Sequence, residues 1–248
     1  MTSTESIWSP AKQASDSLEV YLLGLVDFES ALFLQERLAY EISGRNDAQG
    51  GLLICEHPPM VTIGREGSRS HLLAEPGEFI ARQMETRWLN RGGGCLVHAP
   101  GQLAVYPIVP LDRLGLGLSE YRHRIEQSVI DTCGELRVRA CRHDDEAGVF
   151  SRIGQIGFIG ASVRSWVSMH GMFVNVCPQL ELMRMVQPNR SGTRISSLSA
   201  ERMRPVTMHS VRARLIRNLA EQLGYDCSHM YTSHPLLRRT KRRVYDYA

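Results

Sequence analysis

Lysine is nearly absent from this 248-residue sequence, although basic residues as a group are not. Of the 29 basic residues only Lys12 and Lys241 are lysines. Lysine holds phosphate groups in nucleotide-binding loops, and its charge lowers the pKa of nucleophilic thiols. Mechanisms that need a lysine between residues 13 and 240 are therefore excluded. The glycine-rich stretch RGGGCLVH at residues 91–98 also lacks the GK[ST] ending of a nucleotide phosphate loop.

Paired cysteines are missing as well. No two of the six cysteines form a CxxC pair, and their spacing is irregular. This pattern argues against a disulfide framework and against a zinc site. The predicted free thiols are Cys55, Cys95, Cys133, Cys141, Cys177 and Cys227. The nine histidines include no HExxH motif, and His143 with the three acidic residues after it is typical of a solvated turn. We expect no metal site and no cofactor.

Long apolar runs do not occur. No stretch approaches the roughly 20 apolar residues that span a bilayer. Residues 1–17 lack the basic start and apolar middle of a secretory signal. We expect a cytoplasmic, monomeric protein with no membrane association, folded as one domain over residues 18–230 after a flexible tail at 1–17.

Charge is close to balanced, with a net value of +3. Much of the positive excess lies in a short C-terminal stretch, RRTKRR at residues 238–243. We interpret residues 231–248 as a solvated basic tail in preference to a nucleic-acid site.

Hydrophobic periodicity predicts helices and strands in mixed order. Two helices have clear start signals: Asp27 precedes apolar positions 31, 34, 38 and 42, and Thr207 precedes apolar positions 211, 215, 219 and 223. Gly224 marks the end of the second helix. A third helix is predicted to start at Ser119. Strands are predicted at residues 18–25 and at GLLICE, and QIGFIGASVRSWVSMHGMFVNV predicts a hairpin with its turn at His170–Gly171.

The fold class is therefore predicted to be α+β, a single domain with a central mixed sheet flanked by helices. Internal repeats and a linker long enough to divide the chain are both missing from the sequence.

Three stretches in a fixed order resemble one family. They are ICEHPPMVTIGR, LNRGGGCLVHAPGQLAVYPIVPLDRL and AGVFSRIGQIGFIGASVRSWVSMHGMFVNV. Together they are similar to the octanoyltransferases of lipoate biosynthesis, which are relatives of lipoate and biotin protein ligases, over roughly residues 18–226. The resemblance implies a lipoate/biotin protein ligase-like domain that moves an octanoyl group from acyl carrier protein to a lysine of a lipoyl domain. The expected acceptors are lipoyl domains of 2-oxoacid dehydrogenases or the glycine cleavage H protein.

The resemblance also implies an acyl pocket. Its expected lining is Arg91, Gly92, Gly93, Gly94, Cys95, Leu96, Val97, His98, Phe158, Ile159, Gly160, Gly171, Met172 and Phe173. Glycines in such a loop let the backbone approach a ligand and expose N–H donors to a carbonyl oxygen.

The sequence departs from the family at the two residues of its usual mechanism. In that mechanism a cysteine takes the acyl group as a thioester, and a lysine lowers the pKa of the thiol. Counting without gaps from Trp166 and His170 places Gln155 at the lysine position and Asn189 at the cysteine position. An amide is no nucleophile, and a neutral glutamine cannot stabilise a thiolate by charge.

Three hypotheses remain compatible with the sequence. The nucleophile has moved to Cys95, with His98 as its base, or less favourably to Cys177, although a buried apolar role for Cys95 is the more common one. Alternatively the target lysine attacks the bound thioester directly, with His98 or His170 as base or as residues that only order their loops. The third hypothesis is a non-catalytic homologue that binds an acyl chain or acyl carrier protein.

An ATP-dependent ligase of the sister families is less favoured. Such enzymes use a lysine at the position of Gln155, and here that role would fall to an arginine such as Arg152 or Arg164.

Overall fold

The computed structural model describes residues 17–189 and 191–237. Apart from Ser17, the predicted N-terminal tail lies outside the described residues, and so does the basic cluster at 238–243.

Eleven strands and six helices are formed by the described residues. The strands are β1 Ser17–Leu25, β2 Gly50–Glu56, β3 Met60–Ile63, β4 Glu85–Trp88, β5 Cys95–His98, β6 Gln102–Ile108, β7 Ala140–Cys141, β8 Gly148–Ser151, β9 Gln155–Arg164, β10 Val167–Asn175 and β11 Cys227–Tyr231. The helices are α1 Phe28–Ser43, α2 Pro76–Ala81, α3 Leu118–Glu135, α4 Leu180–Met183, α5 Leu198–Arg202 and α6 Met208–Leu223. None of these helices is both long and apolar enough to cross a bilayer.

The main sheet has eight strands in the order β11-β1-β2-β6-β10-β9-β8-β7. β1 runs parallel to β2 and β11, and the other neighbours pair antiparallel. A second sheet has the order β4-β3-β5. The predicted α+β fold with a central mixed sheet flanked by helices is confirmed.

The central strands β2, β6 and β10 of the main sheet are buried on both faces. Successive side chains of a strand point to opposite faces, so Leu52 and Ile54 of β2 join the core formed with α3 and α6. Leu53 and Cys55 of the same strand join the core formed with α1 and the small sheet. The small sheet is thereby fixed against the face of the main sheet on which α1 packs.

The helix signals in the sequence are confirmed. The Asp27 carboxylate accepts from the Ser30 N–H at 2.8 Å before α1, and the Thr207 hydroxyl accepts from the Ser210 N–H before α6. Gly224 ends α6 with φ +81°. The third helix starts at Leu118, one residue before the predicted Ser119.

The predicted hairpin is confirmed, but the position of its turn is wrong. The turn lies at Ser165–Trp166, where both residues have positive φ, as in the tight turns that connect hairpin strands. His170 and Gly171 lie inside β10, although both also have positive φ. A Cβ at Gly171 would lie 2.5 Å from the Val105 carbonyl oxygen, so this glycine permits the close approach of β6 and does not form a turn.

The sequence pattern does not predict β11, which pairs with β1 as the outer strand of the main sheet. Its last residue, Tyr231, lies one position beyond the predicted domain limit at 230, and its ring stacks on Tyr21.

Candidate active site

A cavity of about 470 Å³ lies between the glycine loop at residues 91–94, β9 and the residues Pro188, Asn189 and Ser191. This volume falls within the roughly 300–1,000 Å³ of small-molecule pockets. Its apolar lining is Leu96, Ala147, Phe158, Ile159 and Pro188. Its polar and glycine lining is Glu66, His71, Arg91, Gly93, Gly94, Asp145, Glu146, Gln155, Asn189 and Ser191.

The Arg91 side chain fastens the glycine loop to β3. It is fully buried, and one guanidinium nitrogen donates to the Gly92 carbonyl at 2.9 Å. The other donates to the Thr62 carbonyl and hydroxyl at 3.1 and 2.7 Å and to the Gly94 carbonyl at 3.1 Å. Burial lowers the pKa of Arg91 to about 10, so it keeps its charge at neutral pH. Because all four acceptors are uncharged, that charge is not neutralised by them.

The main effect of the glycines in this loop is to let its backbone lie close to neighbouring backbone segments. A Cβ at Gly94 would lie 2.4 Å from the Pro188 carbonyl oxygen, and Gly93 has φ +75°. The Gly92 N–H donates to the Ala161 carbonyl at 2.9 Å, and the Gly93 N–H donates to the Glu66 carboxylate at 3.0 Å. Two N–H groups of this loop are therefore already engaged within the protein.

Gln155 and Asn189, which the sequence predicts at the family's lysine and cysteine positions, contact each other. The Asn189 amide donates to Gln155 Oε1 at 2.8 Å, and the Gln155 amide donates to the Gly157 carbonyl at 3.1 Å. Asn189 Oδ1 also accepts from the Thr193 N–H at 3.2 Å. This amide pair joins β9 to the segment after Pro188 at one end of the cavity.

His98 lies in a buried chain of hydrogen bonds behind the cavity, here called the His98 network. His98 Nδ1 contacts Gln102 Oε1 at 2.9 Å, and His98 Nε2 contacts the Thr62 hydroxyl at 2.8 Å. Gln102 donates in turn to Asn175 Oδ1 at 3.0 Å. Since Gln102 Oε1 can only accept, Nδ1 carries the proton and Nε2 accepts from Thr62.

The environment of His98 is that of an ordering residue. Burial is the largest cause of a pKa well below the usual value, and the positive charge of Arg91 adds to it. Both ring nitrogens are paired and His98 does not line the cavity, so proton transfer by His98 stays a prediction that this geometry does not support.

Cys95 is fully buried and its thiol donates to the Ser68 carbonyl at 3.3 Å. Burial raises its pKa, which disfavours the thiolate that a nucleophile needs. Cys95 does not occur in the cavity lining. Cys177 is exposed, but burial of its thiol also raises its pKa, and it too is missing from the lining.

His170 is buried in β10, where its backbone N–H donates to Gln35 Oε1 at 2.8 Å. Its pKa is lowered to about 4, mainly by burial and also by the charges of Arg91 and Arg65. It is therefore neutral at physiological pH, and it does not line the cavity.

Six of the residues expected around an acyl pocket line this cavity: Arg91, Gly93, Gly94, Leu96, Phe158 and Ile159. The others do not line it, namely Gly92, Cys95, Val97, His98, Gly160, Gly171, Met172 and Phe173. Met172 and Phe173 point into the two opposite cores of the sheet.

Four titratable lining residues lie outside the expected pocket set: Glu66, His71, Asp145 and Glu146. The last two belong to the stretch that the sequence predicts as a solvated acidic turn, and Asp145 is indeed exposed. His71 follows a serine-arginine stretch with no motif. Only the folded chain brings these residues to one cavity.

Three buried polar atoms of lining residues have no hydrogen-bond partner within the described part of the chain. They are Arg91 Nε, His71 Nδ1 and Glu146 Oε2. Unpaired buried polar atoms are costly and commonly mark sites of chemistry or ligand binding. In residues 17–189 and 191–237, no group of three His, Cys, Asp or Glu side chains is arranged to hold a metal ion.

The family profile described as the lipoyl protein ligase A/B catalytic domain matches residues 27–220. An octanoyltransferase of Geotalea uraniireducens is 38% identical over 194 residues, which cover 78% of this chain and 87% of that protein. The chain therefore has a lipoyl protein ligase A/B catalytic domain. Within that class it belongs to the octanoyltransferase family and is an acyltransferase.

Solved structures share the fold. The crystal structure of a lipoate-protein ligase A bound with ATP has a TM-score of 0.72 at 16% identity, covering 87% of this chain and 90% of that one. A bi-partite lipoate protein ligase of Thermoplasma acidophilum, studied with its E2 lipoyl domain, has a TM-score of 0.62 at 16% identity, covering 88% of each chain.

Proposed function

We propose that this protein transfers an octanoyl group from an acyl carrier protein thioester directly to the ε-amine of a lysine on a lipoyl domain, without an acyl-enzyme intermediate. The observation that carries this proposal is the composition of the cavity. Its described lining contains no cysteine but includes the hydrogen-bonded amides of Gln155 and Asn189, which the sequence predicts at the family's lysine and cysteine positions.

The apolar part of the lining suits a medium-length fatty chain. It consists of Leu96, Ala147, Phe158, Ile159 and Pro188. Burial is worth about 0.8 kcal/mol for each methylene, so the six methylenes of an octanoyl group contribute about 5 kcal/mol. This is enough to hold the thioester while the amine approaches.

Arg91 is suited to stabilise the oxyanion of the tetrahedral intermediate. Its Nε lacks a partner among the described residues, and the side chain lines the cavity with its charge intact. A fixed donor in a buried site stabilises developing negative charge more strongly than it would in water. Direct aminolysis then depends on positioning, deprotonation of the amine and this electrostatic contribution.

The charges around the cavity favour an amine over a nucleotide. Three carboxylates, from Glu66, Asp145 and Glu146, face one arginine in the described lining. Such a field attracts an ammonium group and repels a triphosphate. The ATP-dependent ligase reaction, which requires a bound nucleotide, is thus disfavoured.

The remaining details are part of the same proposal. The acceptors are lipoyl domains of 2-oxoacid dehydrogenases or the glycine cleavage H protein, and the enzyme acts as a cytoplasmic monomer without cofactor or metal. The catalytic domain is proposed to comprise residues 18–230, extended at its two ends by Ser17 of β1 and Tyr231 of β11.

The test is an intact-mass experiment with octanoyl-acyl carrier protein and a lipoyl domain. We expect the lipoyl domain to gain one octanoyl group while the enzyme shows no adduct in a single turnover. A lipoyl domain whose target lysine is replaced by arginine serves as control and stays unmodified. An octanoyl adduct on the enzyme that is lost on Cys95→Ser would establish the moved nucleophile, and binding without transfer would establish a non-catalytic acyl binder.

A further inference from the structure

His71 is the histidine that the described lining of the cavity contains. It belongs to the short 3₁₀ turn Arg69–His71, which Ser68 caps. The imidazole Nδ1 is buried and has no partner among the described residues. An imidazole with an unoccupied nitrogen beside a reaction cavity is available to accept a proton.

The backbone around His71 is held from two sides. The Cys95 thiol donates to the Ser68 carbonyl at 3.3 Å, which ties the start of the turn to β5. The Gln187 N–H donates to the His71 carbonyl at 2.8 Å, and the Leu73 N–H donates to the Met185 carbonyl at 2.8 Å. The turn is thereby fixed to the segment that leads to Asn189.

Of the other buried histidines near the site, His57 and His98 have paired ring nitrogens, whereas His170 Nδ1 also has no described partner but lies outside the cavity lining. His98 has both ring nitrogens hydrogen-bonded. His57 contacts the Val26 carbonyl at 2.8 Å and the Tyr106 hydroxyl at 2.7 Å. His170 is outside the cavity lining.

We propose that His71 is the general base that deprotonates the acceptor lysine, and that Glu146 receives the lysine ammonium beside it. This inference rests on the proposed function. Glu146 Oε1 accepts from the Ser191 N–H at 3.0 Å, whereas its buried Oε2 has no described partner. A lysine ammonium has three N–H donors, which match an unpaired carboxylate oxygen and the imidazole.

The imidazole takes one proton from the ammonium, and the amine lone pair forms the C–N bond to the thioester carbon. A second proton leaves the nitrogen as the tetrahedral intermediate collapses and the C–S bond breaks. One of these two protons ends on the departing thiol of the carrier, and the other passes to water, which leaves the imidazole neutral.

The experiment compares His71→Gln with the wild-type full chain in octanoyl transfer from octanoyl-acyl carrier protein. Glutamine can hydrogen-bond but cannot accept a proton, so transfer to the lipoyl-domain lysine is expected to fall about 100-fold or more. Transfer to hydroxylamine, whose nitrogen is already unprotonated at neutral pH, is expected to stay within about threefold of wild type, since no base is needed. Imidazole added to His71→Ala is expected to restore part of the lysine transfer.

His123→Gln is the matched control, because His123 is an exposed histidine on α3 outside the cavity lining. It should leave both reactions unchanged. Equal losses with lysine and hydroxylamine in His71→Gln would mean that His71 positions the thioester or supports the fold, and would overturn the inference. Unchanged transfer to lysine would overturn it as well. A wild-type protein that transfers to neither nucleophile would instead refute the proposed function.

Discussion

The His98 network adjoins Arg91, which itself lines the cavity. The network and the cavity lining differ in whether their buried polar groups have hydrogen-bond partners. In the network, Thr62, His98 and Gln102 are each paired at hydrogen-bond distance. On the wall, His71 Nδ1 and Glu146 Oε2 are buried without a described partner. The same residue type, histidine, therefore orders the structure in one region and is free for chemistry in the other, because only the paired one has used its donors and acceptors.

The largest expected effect concerns the pH dependence of stability. Burial lowers the pKa of His57 and His170 to about 4, and that of His98 well below its usual value. As pH falls below about 6.5, these histidines become protonated in the unfolded chain but stay neutral in the folded protein. The free energy of unfolding therefore decreases. For the three histidines together, the free energy of unfolding is expected to decrease by about 5 kcal/mol between pH 7 and pH 5.

Urea unfolding at the two pH values measures this loss. His57→Gln is expected to reduce the decrease in the free energy of unfolding by about one third, because one of the three contributing histidines is removed. His123→Gln changes an exposed histidine and is the control that keeps the wild-type pH dependence. A free energy of unfolding that does not change between pH 7 and pH 5 would contradict the neutral, buried state of these residues.

His98→Leu tests the network side of the comparison. The substitution leaves the Thr62 hydroxyl and Gln102 Oε1 without their imidazole partner, and each unsatisfied buried group costs about 1–3 kcal/mol. We expect the free energy of unfolding to fall by about 3 kcal/mol. Octanoyl transfer by the folded fraction should stay within about threefold of wild type, in contrast to His71→Gln. Near-normal stability with abolished transfer would assign a chemical role to His98.

Asn189→Ala tests whether the amide pair is structural. Loss of its hydrogen bond to Gln155 is expected to cost about 1 kcal/mol, with a coupling of similar size in a double-mutant cycle with Gln155→Ala. Transfer by the folded protein should fall only moderately, because neither amide acts as a nucleophile. Abolished transfer in a variant of normal stability would require a direct contact between Asn189 and the substrate.

Cys95→Ser carries the smallest expected effect. A serine hydroxyl keeps a donor for the Ser68 carbonyl, so the turn that holds His71 stays in place. Octanoyl transfer, followed by intact mass, is expected to remain within about twofold of wild type. A loss of several hundredfold would return Cys95 to the role of nucleophile.

Local signals predict the three long helices of this fold, α1, α3 and α6, but not the short helices α2, α4 and α5. Asp27 and Thr207 each bond an N–H three residues later, so the capping information lies within one turn of chain. The pairing of β1 with β11 brings Ser17 beside Cys227, and no local pattern encodes such a contact. The hairpin turn at Ser165–Trp166 is missed for another reason. Neither residue is the glycine that positive φ usually selects, whereas Gly171 serves strand approach.

For the candidate site, the sequence motifs predict the glycine loop and the strand that border the cavity. They do not predict that His71 and Glu146 line it. Arg91, Gly94 and Phe158 belong to the recognisable stretches and line it. His71 and Glu146 come from segments without a motif, 75 positions apart in the chain. Their proximity follows from the packing of the small sheet and the 188–191 segment against the main sheet.

By itself, the sequence determined the family and the α+β class, and it predicts the replacement of the usual cysteine and lysine, because each of these depends on residue identity and order. Only the tertiary structure showed that the histidine of the described cavity lining has an unpaired ring nitrogen. That property depends on whether the ring nitrogens find partners, and those partners, Gln102 and Thr62 for His98 and none described for His71 Nδ1, are set by packing between strands and turns.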